Sequence, residues 1–122
     1  MSRSMFDRYG GFAVVSKVVG SFYDKVLDSE QVGPYFDDID MRRQIDHQTK
    51  FIASVMGGPA SYSNEALRQV HEKYKINRAD FDEVARLLRL SLEEFGFEAA
   101  DVDAVMHEIQ SRAGYVISDG AS

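Results

Sequence analysis

One histidine stands on an apolar stripe between residues 64 and 74, a stretch that the spacing predicts to be a short helix. Leu67, Val70 and Tyr74 share this stripe with His71. A neutral imidazole is a good metal ligand. A lone histidine on an apolar face is nevertheless more often a core residue whose hydrogen bonds are satisfied. If His71 binds a metal, a site with a single histidine suits haem best, because the porphyrin supplies four further ligands.

A second candidate is a polar stripe on the helix predicted between Asp40 and Gly57. Its members at helical spacing are Gln44, Gln48, Phe51 and Val55, with His47 and Ile52 on the two flanks. A buried amide or imidazole without a partner costs about 1–3 kcal/mol. These groups therefore need a ligand, each other or solvent, and exposure of this end of the helix is the simplest alternative.

The elements that position these residues are predicted to be helices throughout. Apolar side chains recur every three or four positions over residues 12–27, 81–92 and 102–116, and no alternating strand pattern competes. Asp40 and Asp80 are the expected caps of the helices that follow them, and Gly57 and Gly96 are the expected helix ends. The fold class is therefore all-α, with one domain over residues 1–122, a core from about 5 to 117 and a polar tail at 118–122.

Composition narrows the function. The 122 residues, 44% of them hydrophobic, suffice for one core and not two. The net charge of −6 disfavours binding to nucleic acid or an anionic membrane. The absence of Cys excludes disulfides, thiolate catalysis, Cys-ligated zinc and iron–sulfur clusters. With no membrane-length apolar stretch and no signal-like start, we expect a cytoplasmic protein that acts on small molecules.

Seven motifs, taken in order, resemble the truncated haemoglobins of the first group. They are Tyr9-Gly10-Gly11, Phe22-Tyr23, Pro34-Tyr35-Phe36, Asp40-Met41, Gln44-x-x-His47-Gln48-x-x-Phe51, Gly57-Gly58-Pro59-x-x-Tyr62 and Leu67-x-x-x-His71. The resemblance implies a two-over-two helical sandwich around haem b. It also implies non-covalent haem, because Gly114 stands where some relatives carry a histidine that bonds to haem.

The same resemblance assigns roles to individual residues. His71 matches the proximal iron ligand, and Tyr23, Gln44 and Gln48 match the distal polar set that donates hydrogen bonds to bound dioxygen. The residues expected to pack against the haem are Phe36, Phe51, Leu67 and Val70. His47 is similar to a histidine of cyanobacterial members, which predicts a sixth iron ligand that a gas displaces. Its rival role is an exposed partner of a haem propionate.

The implied function is reversible binding of dioxygen and other diatomic gases, nitric oxide and carbon monoxide among them, by a protein that we expect to be monomeric. Nitric oxide dioxygenation is a further expectation and needs a reductase, which must be a separate protein because no flavin or nicotinamide motif is present. Two alternatives stay open: a cofactor-free helical interaction module, and a peroxidase-like haem enzyme that uses His47 as acid–base group. His107 lies off the apolar stripe of its helix and is assigned no role.

Overall fold

The computed structural model describes residues 4–58 and 76–111, and every element in these ranges is a helix, as the apolar spacing predicts. The elements are α1 (Met5–Arg8), α2 (Phe12–Asp28), a 3-10 helix (Gly33–Phe36), α3 (Met41–Val55), α4 (Arg78–Glu94) and α5 (Ala99–Ser111). None of these helices has the length and hydropathy to cross a membrane. The helix predicted at 64–74 and the end of the last helix lie outside the described residues.

The helices form two pairs, α2 with α3 and α4 with α5, and α2 also packs against α4. The core lies between these pairs, where one face of each helix is apolar. Its most deeply buried side chains are Val15, Val18, Val19, Val26, Val32, Ile52, Leu92, Val102 and Val105. Full burial of one such side chain is worth about 1.5–3 kcal/mol. The apolar periodicity of α2 is therefore satisfied from both sides, which makes α2 the central helix.

The ends of α3 agree with the prediction. The carboxylate of Asp40 accepts a hydrogen bond from the amide of Arg43 at 3.3 Å, which satisfies one of the unpaired N–H groups of the first turn. Gly57 follows the last turn with φ of 86°, a left-handed conformation that glycine adopts at little cost.

The predicted cap of α4 is wrong. The cap lies three residues earlier, at Asn77, whose side-chain oxygen accepts a hydrogen bond from the amide of Asp80 at 2.8 Å. Asp80 instead lies in the first helical turn. Both residue types are good caps, and here the first turn precedes the apolar stripe that begins at Phe81.

The short helix α1 joins the ends of two longer helices. The amide of Phe6 donates to the carbonyl of Met56 at 2.9 Å, at the end of α3. The ring of Tyr9 stacks on Phe97, with centroids 3.8 Å apart, and its hydroxyl donates to Asp101 at 2.5 Å, in the first turn of α5. The contacts of α1 therefore hold the end of α3 and the start of α5 in one place.

Candidate functional site

Tyr23 is the most deeply buried of the singled-out polar residues that lie in the described part of the chain. It lies on α2 with 2% of its surface exposed, and its ring meets Phe22 and Phe36 edge-on, with centroids 4.8 and 5.5 Å away. Burial raises the pKa of its phenol to about 12, and the hydrogen bond from Gln44 opposes that rise. The hydroxyl is therefore neutral at physiological pH and keeps its proton.

Gln44 on α3 is the hydrogen-bond partner of this hydroxyl. Its amide nitrogen donates to the oxygen of Tyr23 at 3.0 Å. The phenolic oxygen thus already accepts one hydrogen bond, and no residue in the described part of the chain accepts the proton of Tyr23. The pair consequently presents an O–H donor whose orientation is fixed on one side by an amide.

The polar stripe of α3 lies beside the fully buried face of this helix, and its apolar members Phe51 and Val55 pack against the edge of the core. Gln44, Gln48, Phe51 and Val55 are half-buried, whereas the buried side chains of α3 are Thr49, Ile52 and Ala53. Ile52, expected on the flank, is 1% exposed and contributes to the core. The stripe is therefore a second face of α3, beside the core, with amides towards its start and apolar groups towards its end.

His47 does not join the Tyr23 and Gln44 pair. Its side chain is exposed and forms no hydrogen bond or ion pair with any residue in the ranges 4–58 and 76–111. Gln48, one position further along α3, is half-buried. The structure thus brings together Tyr23, Gln44 and Phe36. His47 lies apart from them, on an exposed side of α3.

The described half of the site fits a flat apolar cofactor that carries a polar ligand on one face. Phe36 and Phe51 are half-buried apolar side chains. Tyr23, whose ring contacts Phe36, and Gln44, on the same stripe of α3 as Phe51, supply hydrogen-bond donors. Burying those rings against a porphyrin is favourable in proportion to their area. The candidate iron ligand His71, with Leu67 and Val70, lies outside the described residues.

One group near the site escapes sequence reasoning. The hydroxyl of Tyr35, in the 3-10 helix, donates to the carboxylate of Asp80 at 2.6 Å, and Gln31 donates to the other oxygen of that carboxylate at 2.9 Å. The partners are 45 and 49 positions apart along the chain. A local pattern carries no signal for such a contact, because it depends on how α4 docks against the segment that precedes α3.

Comparison with protein families gives a match to the bacterial-like globin model over residues 4–118. A curated relative, the group 1 truncated hemoglobin GlbN of Synechocystis, is 32% identical over 97 residues, which cover 76% of this chain and 78% of the relative. The corresponding protein of Mycolicibacterium paratuberculosis is 33% identical over 106 residues, or 87% of this chain and 78% of the relative.

The fold also matches solved structures. The truncated hemoglobin of Tetrahymena pyriformis in the Fe(III) form superposes with a TM-score of 0.86 at 26% identity, covering 95% of this chain and 99% of that one. The order of helices and the two-on-two pairing described above are thus found again in a solved protein.

Proposed function

The chain belongs to the bacterial-like globin family as a truncated haemoglobin, a haem-binding globin with non-covalent haem b, and we propose that it binds dioxygen reversibly. The observation that carries this proposal is the buried hydroxyl of Tyr23, which accepts from Gln44 and keeps a proton to donate. Such a donor inside an apolar surrounding favours a ligand that gains negative charge when it binds.

In this proposal His71 would bind the haem iron, and Phe36, Phe51, Leu67 and Val70 would hold the ring by apolar contact. When bound, haem supplies a ferrous iron with a coordination position for a diatomic gas. Phe36 has a second effect, since its ring packs edge-on against Tyr23 and limits where that phenol can point.

The distal residues select among ligands by hydrogen bonding. Tyr23 donates its O–H to the gas, and the amide of Gln44 holds the phenolic oxygen while it does so. Gln48 is one helical turn after Gln44 on the same half-buried stripe, so we propose it as the second donor. A hydrogen bond of this kind contributes about 0.5–1.5 kcal/mol when both partners are neutral and more when one is charged.

His47 is proposed as a sixth iron ligand in the absence of gas. Its imidazole lies three positions after Gln44, is exposed, and has no partner among the described residues, so no contact with those residues must break for it to bind the iron. Replacing His47 by Ala is then expected to convert low-spin spectra of the ligand-free protein into high-spin spectra. Identical spectra for the variant and the parent would refute this ligation.

The test of the main proposal is an absorbance spectrum of the protein loaded with hemin, in ferric, ferrous and ferrous-plus-carbon-monoxide forms. A stoichiometric Soret band, and its loss in His71→Ala with recovery on adding imidazole, is the expected result. His107→Ala is the matched control, because His107 is an exposed histidine on α5. Absence of the band in the parent protein would favour the cofactor-free interaction module instead, and equal spectra for the two variants would remove His71 from the axial role.

Nitric oxide and carbon monoxide are expected to bind at the same position as dioxygen. Turnover of nitric oxide to nitrate, with a separate reductase, stays a prediction. The monomeric state also stays a prediction. Mixing the oxygenated protein with nitric oxide and measuring nitrate per haem tests the first, and sedimentation at several concentrations tests the second.

A further inference from the structure

The carboxylate of Asp80 links two segments that are far apart in the chain. One oxygen accepts from the hydroxyl of Tyr35 at 2.6 Å and the other accepts from the side-chain amide of Gln31 at 2.9 Å. The same amide lies 3.3 Å from the carbonyl of Ala79. The hydrogen bond to Asp80 raises the pKa of Tyr35 to about 12, with burial adding to it. Each oxygen of the carboxylate therefore has its own donor, and both donors belong to the segment around the 3-10 helix.

Asp80 is itself held firmly. It lies in the first turn of α4, where its amide is bonded to the side chain of Asn77 at 2.8 Å. A carboxylate in the first turn of a helix is favourably placed, because the unpaired N–H groups there carry partial positive charge. The next residue, Phe81, is 6% exposed. The position of Asp80 is thus fixed by the packing of α4 rather than by the segment that it contacts.

The 3-10 helix connects Asp80 to the candidate site. A Cβ atom on Gly33 would lie 3.1 Å from the carbonyl oxygens of both Val26 and Leu27, so this turn lies tightly against the end of α2. Tyr35 and Phe36 are neighbours in the turn. Tyr35 bonds to Asp80 on one side, while Phe36 on the other side contacts the ring of Tyr23.

We propose that Asp80, acting through Tyr35, is a positioning residue of the gas-binding site, because it holds the 3-10 helix so that Phe36 packs against Tyr23. This inference rests on the proposed function. Without the bond from Tyr35, the side-chain hydrogen bonds that still join this segment to the start of α4, among the described residues, are those of Gln31 to Asp80 and to the carbonyl of Ala79. Phe36 then samples more than one position, and the hydroxyl of Tyr23 loses part of its orientation.

The test compares two tyrosine variants that remove the same group. Tyr35→Phe removes the hydroxyl bonded to Asp80, and Tyr9→Phe removes a hydroxyl bonded to another carboxylate, Asp101, at the start of α5. Both changes leave the ring in place. A purely structural role for the Tyr35 bond would therefore make the two variants alike: less stable to denaturant, with unchanged ligand chemistry.

Three readouts on haem-loaded protein separate these cases. In Tyr35→Phe, we expect dioxygen to leave about three- to tenfold faster, a fraction of the effect of losing a whole hydrogen bond. We also expect the C–O stretching band of the carbon monoxide form to broaden or split. The amide of Asp37, which donates to the carbonyl of Pro34 at 3.3 Å, should exchange its hydrogen faster. Tyr9→Phe is expected to change none of the three by more than about twofold.

Gln31→Ala provides a second variant. It removes the side-chain amide that donates the other hydrogen bond to Asp80, an exposed bond. We expect changes in the same direction and smaller in size than those of Tyr35→Phe. If dioxygen release and the C–O band of Tyr35→Phe equal those of Tyr9→Phe, the positioning role is overturned while the proposed function stands. If the parent protein takes up no haem, the proposed function fails. Faster exchange at Asp37 in cofactor-free Tyr35→Phe than in the cofactor-free parent would then still show that the bond from Tyr35 to Asp80 holds the 3-10 helix.

Discussion

Replacing Tyr23 by phenylalanine removes one hydroxyl from a side chain that is 2% exposed and leaves its ring between Phe22 and Phe36. The change is nearly isosteric, so the fold is expected to tolerate it. What disappears is the acceptor of the amide of Gln44, which is also the proposed donor to the bound gas. The variant therefore tests the distal hydrogen bond with little disturbance of the core.

The size of the effect follows from the kind of hydrogen bond that is lost. A hydrogen bond to a charged acceptor contributes about 1.5–3 kcal/mol, and dioxygen on ferrous haem carries partial negative charge. Since about 1.4 kcal/mol corresponds to a factor of ten, dioxygen should leave about 10- to 150-fold faster from the variant. The amide of Gln44, released from its bond to Tyr23, can turn to the gas and recover part of this energy, which favours the lower end.

The assay is stopped-flow mixing of the oxygenated protein with excess carbon monoxide, which measures the rate of dioxygen release. Carbon monoxide release serves as the internal comparison, because that ligand is less polar and gains less from a donor. Tyr9→Phe is the matched control, because it removes a hydroxyl that bonds to Asp101 in the first turn of α5. An unchanged dioxygen rate, or an equal change for both gases, would refute the assignment of Tyr23 as the donor.

Three further outcomes are expected. The pKa of Tyr23 is raised to about 12 by burial, so stability should fall as the pH rises from about 10 to about 12. In an alkaline titration of tyrosinate absorbance, Tyr23→Phe should show one tyrosine fewer near pH 12, where Tyr35 also titrates. Asn77→Ala should lower the free energy of unfolding by about 1 kcal/mol, through loss of the cap, as measured with urea; no change would contradict the cap. Arg8 and Tyr9 lower the pKa of Asp101 below its ordinary 3.8, so their stabilisation is present above that pH and disappears as the pH falls below it. Asp101→Asn should therefore flatten the acid end of the stability curve, and an unaltered curve would argue against the ion pair.

The periodicity of the apolar residues was sufficient to predict the helices and to predict which residues share one side of a helix. The stripe from Gln44 to Val55 lies on one side of α3, as the spacing predicts, and Asp40 caps that helix. The spacing could not say that this side stands beside the core rather than in it. A helix face that covers a cofactor and a helix face that covers another helix have the same apolar pattern. Only the position of α2 distinguishes the two cases.

Contacts between distant residues were beyond the sequence for a different reason. Asn77 and Asp80 are both good capping residues, so the pattern around them is compatible with either start of α4. The choice of Asn77 as cap leaves the carboxylate of Asp80 free to accept from Tyr35 and Gln31. That outcome depends on three segments meeting, which local propensity does not encode.

The contacts of α1 have a consequence for the order of folding. Phe6 bonds to Met56, and Tyr9 bonds to Asp101, 92 positions further along the chain. Closing loops of that length costs entropy before any contact compensates for it. The helix is too short to persist alone, so its docking surface exists only after α3 and α5 have assembled. We therefore expect α1, the first helix in the sequence, to be among the last elements to dock.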